Sequence, residues 1–472
     1  MDRFLRIIFY VNLFLLGGII IFYSCTNPVS NPVADQPPVT HLTLYPDSII
    51  APGSTLKKIS WWGDDPDGYV VGYYFTFDSA LPVSQWSFTT KNDSTFFLSM
   101  TGTDSTFSFF VAAIDDKGLI DPHPASNRYP VYNSPPSMQF TTGTDIPDTI
   151  FPVATFSFSA TDPDGNNTLK YFYWSLNDTL NFHRIPASIT LMTLTLDSGL
   201  ILNSNNSLYM RVQDNAGAFS TTVRMPSDTT KHFFVKKVNA RVLLIKDMPG
   251  TEMPAAAGYF ATALDTVKFD SLDIKSGNGK LIPKIINPMF TETMKLFQVI
   301  IWSADRGNNS SDNANFDLAQ RTIPYYTQAG GKVFFTTGFP NAETQSQGQL
   351  INFANIDSVL YCTIPFISNG LNLINTNSSY PVLIVNNLLQ RIRGIAVSNS
   401  SQIIYRIPNG TTCQDSTIVA VKNSVTNPGV ILMGLPVYYL NGDLNASVAF
   451  FRRILFDEFG LQKNFYSFKK RR

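Results

Sequence analysis

Apolar and polar positions follow two different rules along this chain, and the change falls near residue 240. From 41 to 237, short aromatic and β-branched runs alternate with Asp, Gly, Asn and Pro turns. That pattern predicts strands without a long helical period, an all-β region. From Val242 onward the runs become continuously apolar: Val242-Leu-Leu-Ile245, Gln298-Val-Ile-Ile-Trp-Ser303 and Lys332-Val-Phe-Phe-Thr-Thr337. Runs of this kind predict strands buried on both faces, as in a parallel sheet. Helices are predicted over 255–264, 316–329 (closed by Gly330-Gly331) and 444–459, and further strands over 267–272, 417–421 and 429–437. Strand–helix alternation predicts a doubly wound α/β domain with a mainly parallel sheet over 238–465. The stretch 361–412 fits no regular unit and reads as an insertion.

The amino terminus follows a third rule. Arg3 and Arg6 precede an apolar run over 7–23, interrupted by Asn12. The run is shorter than the roughly 20 residues a helix needs to span a bilayer. It ends at Ser24-Cys25, followed at once by Thr26-Asn-Pro-Val-Ser-Asn-Pro32. A basic start, an apolar middle and an abrupt polar change describe a secretory signal. The segment resembles a bacterial lipoprotein signal, 1–24, which implies that Cys25 becomes the lipid-modified first residue of the mature chain; a retained membrane helix is the competing reading. Residues 25–40, rich in Pro, Asn and Ser, then form a solvated tether that extends about 3 Å per residue. The expected location is the bacterial cell envelope, with a membrane as partner through the lipid anchor.

The all-β region contains a repeat. The first copy carries Asp64-Asp-Pro-Asp-Gly68 after one strand pattern and Asp115-Asp-Lys-Gly118 after a later one. The second carries Asp162-Pro-Asp-Gly165 and Asp214-Asn-Ala-Gly217 in the same order. The copies are offset by roughly 100 residues, the length of one immunoglobulin-like sandwich. These stretches are similar to the fibronectin type III and cadherin-like modules of bacterial surface proteins. The resemblance implies sandwiches over 41–135 and 136–237, used as spacers or adhesion units. It also puts both turns of a copy at the same end of its sandwich. Asp64, Asp65, Asp67, Asp115 and Asp116 would converge there, as would Asp162, Asp164, Asn166, Asp214 and Asn215. Clustered oxygens suit Ca²⁺, which takes six to eight such ligands. The same residue types also favour tight turns by hydrogen-bonding their own backbone, and both readings stand. Trp61, Trp62 and Trp174 read as strand core rather than as a sugar platform.

Beyond 240, the quoted runs and the Gly434-Leu-Pro-Val-Tyr-Tyr439 stretch with its terminal helix resemble the flavodoxin-like, class I glutamine amidotransferase-like superfamily. Active members place a Cys on the turn after the strand equivalent to Lys332–Thr337, and a His after the last strand. Here that turn reads Thr337-Gly338-Phe339, and the four histidines are His41, His123, His183 and His232, all upstream. A Cys–His or Ser–His pair therefore cannot form from this domain's own residues. A Cys/His metal site is excluded by count, because the domain holds just Cys362 and Cys413. In an oxidising envelope those two are candidates for a disulfide.

Composition narrows the function classes. Apolar residues at 44% and aromatics at 13% of 472 residues are enough for several cores. Thirty-five basic residues balance 35 acidic ones, which argues against nucleic acid as a partner. The basic tail 466–472 does not alter that balance. No cofactor is implied apart from the possible Ca²⁺. The remaining candidate ligand edge lies at the carboxyl ends of the strands, where α/β folds bind ligands: Asp247, Glu252, Asp305, Arg306 and Asp312. The expectation is a non-enzymatic, degenerate domain that binds an envelope protein or glycan. The alternative is a hydrolase that uses this Asp/Glu/Arg cluster, since paired carboxylates cleave glycans without His or Cys.

Overall fold

The computed structural model describes residues 3–11, 34–43, 56–98, 104–141, 146–275, 287–304, 315–339, 343–344, 351–354, 356–408 and 417–462. These residues fall into two compact units. The first holds residues 1–134 with the turns 163–168 and 215–218, and the second holds the rest. Cys25 lies outside the described residues. Among those described, no helix is long and apolar enough to cross a membrane.

In the first unit, strands Val39–Leu42, Leu56–Asp64 and Asp93–Phe97 form one antiparallel sheet. Ser87–Thr89, Val70–Thr76, Asp104–Asp115 and Ala125–Tyr132 form the other. Side chains alternate between faces along a strand, so Ile59 and Trp61 of one sheet meet Tyr73, Phe109 and Val111 of the other. Trp61 is 1% exposed and has four aromatic neighbours, Tyr73, Phe75, Phe96 and Phe109. The same alternation turns Trp62 outward, correcting its assignment to the core. It is 46% exposed and stacks on His41 at 4.0 Å.

The second module repeats the plan. Leu191–Thr195, Val153–Thr161 and Ser137–Phe140 form a three-stranded sheet. His183–Pro186, Leu169–Leu176, Leu208–Asp214 and Val223–Met225 form a four-stranded one. Phe156, Phe158, Phe172, Met210 and Val212 fill the space between them. Trp174 packs at the margin of this core, 4.7 Å from His183. An added strand, Phe233–Val235, pairs in parallel with Thr149–Ile150 and leads into the next sheet. The junction is packed: the Phe151 ring meets Phe297 edge-on at 5.1 Å, and Lys236 Nζ lies 4.0 Å from the Phe151 ring centre.

An eight-stranded mixed sheet follows. Its parallel part runs Phe269–Asp273, Val242–Asp247, Val299–Ala304, Lys332–Thr337 and Val430–Met433. Ile418–Lys422, Gln402–Arg406 and Ile374–Asn375 continue it antiparallel. The sheet is mixed, with four parallel and three antiparallel pairings. Val242 and Leu244 face a core completed by helices Met253–Ala263 and Leu444–Arg452. Leu243 and Ile245 face another, completed by helices Asn287–Met294 and Phe316–Gln328. Burial on both faces is why this strand reads as an unbroken apolar run.

Three local expectations change. The stretch taken as irregular contains two long antiparallel strands, Ile356–Ile367 and Leu389–Val397, which form a small sheet with Glu343–Thr344. The terminal helix is α-helical over Leu444–Arg452 and then widens into a π-helix over Arg453–Glu458. Helix Asn287–Met294 was not anticipated, because its Asn-Pro-Met-Phe-Thr-Glu-Thr-Met sequence lacks a clear apolar period. The Cys362 side chain and the whole of Cys413 lie outside the described residues, so their pairing stays an expectation.

Candidate functional site

The two repeated turns do adjoin in the first sandwich. Asp116 Oδ1 accepts a hydrogen bond from the Tyr69 amide at 3.3 Å, and the Asp116 amide donates to Tyr69 O at 3.1 Å. Gly68 lies so close that a Cβ there would run into carboxylate oxygens of Asp65 and Asp116. Asp64, Asp65 and Asp67 have local partners. Asp65 accepts from the Asp67 amide, Asp67 accepts from the Gln36 amide, and Asp64 lies 3.5 Å from His41 Nε2. Lys117 forms an ion pair with Asp35 and lies 3.8 Å from Asp67. Among the described residues, no three His, Cys, Asp or Glu side chains are grouped to hold a metal ion.

Asp115 shows what these positions do. It is 2% exposed, and its Oδ1 accepts from the amides of Lys117 at 2.9 Å and Leu119 at 2.8 Å. In the second copy, Asp164 accepts from the Ser134 amide at 2.6 Å, and the Asn215 amide donates to Thr168 O at 2.8 Å. Asn166 opens a short 3-10 turn ending at Thr168. Asp162 and Asp214 are buried at the ends of their strands. Asp121, which sequence reasoning missed, accepts from the amides of Thr40 and His123. Asp115→Ala would remove the acceptor of two backbone donors in the turn that follows its strand. It is expected to destabilise the first sandwich by about 2 kcal/mol. Thermal denaturation with and without millimolar Ca²⁺ checks this, and a loss that appears with Ca²⁺ alone would instead mark Asp115 as a ligand.

At the carboxyl edge of the mixed sheet, the described carboxylates are held in local hydrogen-bond networks. Asp247 ends its strand completely buried. Its Oδ2 accepts from the Asn315 amide at 2.7 Å and Trp302 Nε1 at 3.2 Å, and its Oδ1 from Asn315 Nδ2 at 2.8 Å. Burial raises its carboxyl to about 6 despite these donors, because desolvation outweighs them. Glu252 stands just before helix Met253–Ala263, and its Oε2 accepts from the Tyr439 hydroxyl at 2.6 Å and the Tyr438 hydroxyl at 3.4 Å. The two carboxylates thus have separate partners. Asp305, Arg306 and Asp312 lie outside the described residues.

In the turn after strand Lys332–Thr337, Phe339 is buried, 6.4 Å from the Phe316 ring. A Cβ on Gly434 would sit 3.4 Å from that Phe339 ring and 3.2 Å from Ile395. Thr336 fastens the same edge: its Oγ1 donates to Leu435 O at 2.7 Å and accepts from the Val437 amide at 3.0 Å. His232, the histidine nearest in sequence, is held in the second sandwich by Ser207 at 2.9 Å and Arg224 at 3.3 Å.

No family model matches this sequence. No curated protein matches it either. Among solved structures, the chain is similar to the fibronectin(III)-like modules of Clostridium thermocellum CbhA, with 14% identity, 42% of this chain and 95% of that one covered, and a TM-score of 0.17. It is similar to a two-domain fibronectin type III segment of chicken tenascin at 13% identity, covering 40% of this chain and 97% of that one, with a TM-score of 0.21. The PKD1 domain of Vibrio anguillarum Epp matches at 17% identity over 21% of this chain and 96% of that one, with a TM-score of 0.15. Scores this low add nothing to the strand pairing already described, and the β modules stand on that pairing.

Proposed function

We propose that this chain is a lipid-anchored, non-enzymatic protein of the bacterial envelope. Its two sandwiches act as spacers or adhesion units. They carry a doubly wound, amidotransferase-like domain that has lost its chemistry and binds a partner protein or a glycan. The observation that supports this reading is the packing of the carboxyl edge among the described residues. Phe339 is buried in the turn after Lys332–Thr337, and both oxygens of the buried Asp247 are held by Asn315 or Trp302.

The hydrolase alternative draws on the raised carboxyl of Asp247, since perturbed carboxyls gather at active sites. Against it, an acid–base pair must reach substrate, and Asp247 is completely buried. The test is hydrolysis of cell-wall and envelope polysaccharides by the full chain. No product is expected. Product formation that disappears in Glu252→Gln would sink the non-enzymatic reading.

Lipidation is tested separately. Cells grown with an alkyne palmitate analogue are expected to label the wild-type protein and not Cys25→Ala. Label retained in the variant would remove the lipoprotein assignment.

A further inference from the structure

The amino-terminal edge of the same sheet, opposite Asp247, is open. A groove of about 830 Å³ lies there, between the start of strand Val242–Asp247, the residues leading into Phe269–Asp273, and the end of the terminal helix. That volume is within the usual range for small-molecule sites, roughly 300–1,000 Å³. Its wall coincides with the departure from regular helix: Arg452 is the last α-helical residue, and the π-helix begins at Arg453. A π-turn inserts backbone that an α-helix has no room for, and such turns recur at functional sites.

The groove has a fixed cationic side. Arg241, Lys268, Arg452 and Arg453 line it with one carboxylate, Asp457, and Asp270 adjoins it, accepting from the amides of the lining residues Asn239 and Ala240. Arg453 is braced from behind, donating to Glu458 Oε1 at 3.0 Å and to Asp457 Oδ2 at 3.1 Å. Glu458 is itself locked by Lys422 at 2.8 Å and the Tyr380 hydroxyl at 2.6 Å. Arg452 meets Asp265 at 2.6 Å at the rim. Exposed Lys268 has no counter-ion among the described residues. Around these charges, Asn239, Thr266, Ser379 and Gln462 offer neutral donors and acceptors, and Val267, Phe456 and Leu461 supply apolar surface.

We infer that this groove binds a carboxylate-bearing oligosaccharide. Excess positive charge selects an anion, the amide and hydroxyl groups match sugar hydroxyls, and the apolar strip matches the C–H face of a pyranose ring. Free phosphate would share the charge but offers neither the ring face nor the hydroxyls that the apolar strip and the neutral side chains match. The inference names a ligand class for the binding role proposed above, and it rests on that role.

Isothermal titration calorimetry of the detergent-solubilised full chain with trigalacturonate and with uncharged maltotriose tests it. Trigalacturonate is expected to bind at least tenfold more tightly than maltotriose. That binding should weaken at 0.5 M salt and fall about tenfold in Lys268→Glu, a surface change that leaves the melting temperature unchanged. Arg452→Ala should produce a similar loss. Equal affinity for both sugars, undiminished binding in both variants, or no heat from trigalacturonate would overturn the groove assignment. Cleavage of trigalacturonate during the titration would instead refute the non-enzymatic role and leave the groove standing.

Discussion

Glu458→Ala is expected to cost about 3–5 kcal/mol of stability, the range for removing one partner from a buried ion pair. Its side chain is 5% exposed and that of Lys422 is 7% exposed. Glu458 accepts from Lys422, Arg453 and the Tyr380 hydroxyl. Without it, Lys422 would be left a buried cation bonded to the Val425 carbonyl. Burial by itself pushes the Glu458 carboxyl up. The Lys422 and Tyr380 hydrogen bonds and the Arg453 charge outweigh it and hold the group below its ordinary value. The stabilisation is therefore present above the ordinary carboxylate range and is lost as pH falls through the depressed value. Urea denaturation followed by tryptophan fluorescence measures the effect. A loss under about 1 kcal/mol would show that the network contributes little, as exposed ion pairs do. Replacing the pair together, Glu458→Leu with Lys422→Met, should recover much of the loss, because no lysine charge is then left buried without its partner.

Asp247 is expected to act in the opposite direction. Its carboxyl is raised from 3.8 to about 6, chiefly by desolvation. The folded chain therefore keeps a proton that the unfolded chain has already released. Stability from this group is complete below about pH 4 and falls as pH rises to about 6. With about 1.4 kcal/mol for each pH unit of displacement, the difference reaches roughly 3 kcal/mol by pH 7. In Asp247→Asn that part of the slope should vanish, since an amide can still meet the indole and Asn315 without ionising. Denaturation curves for both proteins between pH 4 and 7 provide the measurement. Parallel slopes would mean that Asp247 is ionised throughout.

The modules and the central strands were legible because local pattern and tertiary role coincide there. Lys332–Thr337 has the boundaries its apolar run predicts, and Val242–Asp247 is the buried strand its composition implies. The repeated Asp turns also stand after the expected strands. The candidate edge was legible in place but not in character. Sequence puts Asp247 at a strand end, but it cannot show that Asn315, distant along the chain, closes over it. The open groove was illegible for a related reason. Its walls come from residues near 240, 267, 379 and 455, and no local spacing joins them. The hairpin of Ile356–Ile367 and Leu389–Val397 was missed because its alternation is broken by polar and charged residues and by register shifts.

The packed junction after the second sandwich bears on how the chain carries load. Strand Phe233–Val235 is separated from strand Val242–Asp247 by a short connection, and Phe151, Phe297 and Lys236 pack across it. Tension applied to the second sandwich would thus reach the mixed sheet with little slack to take up first. The short connection therefore transmits strain between the two sheets instead of absorbing it.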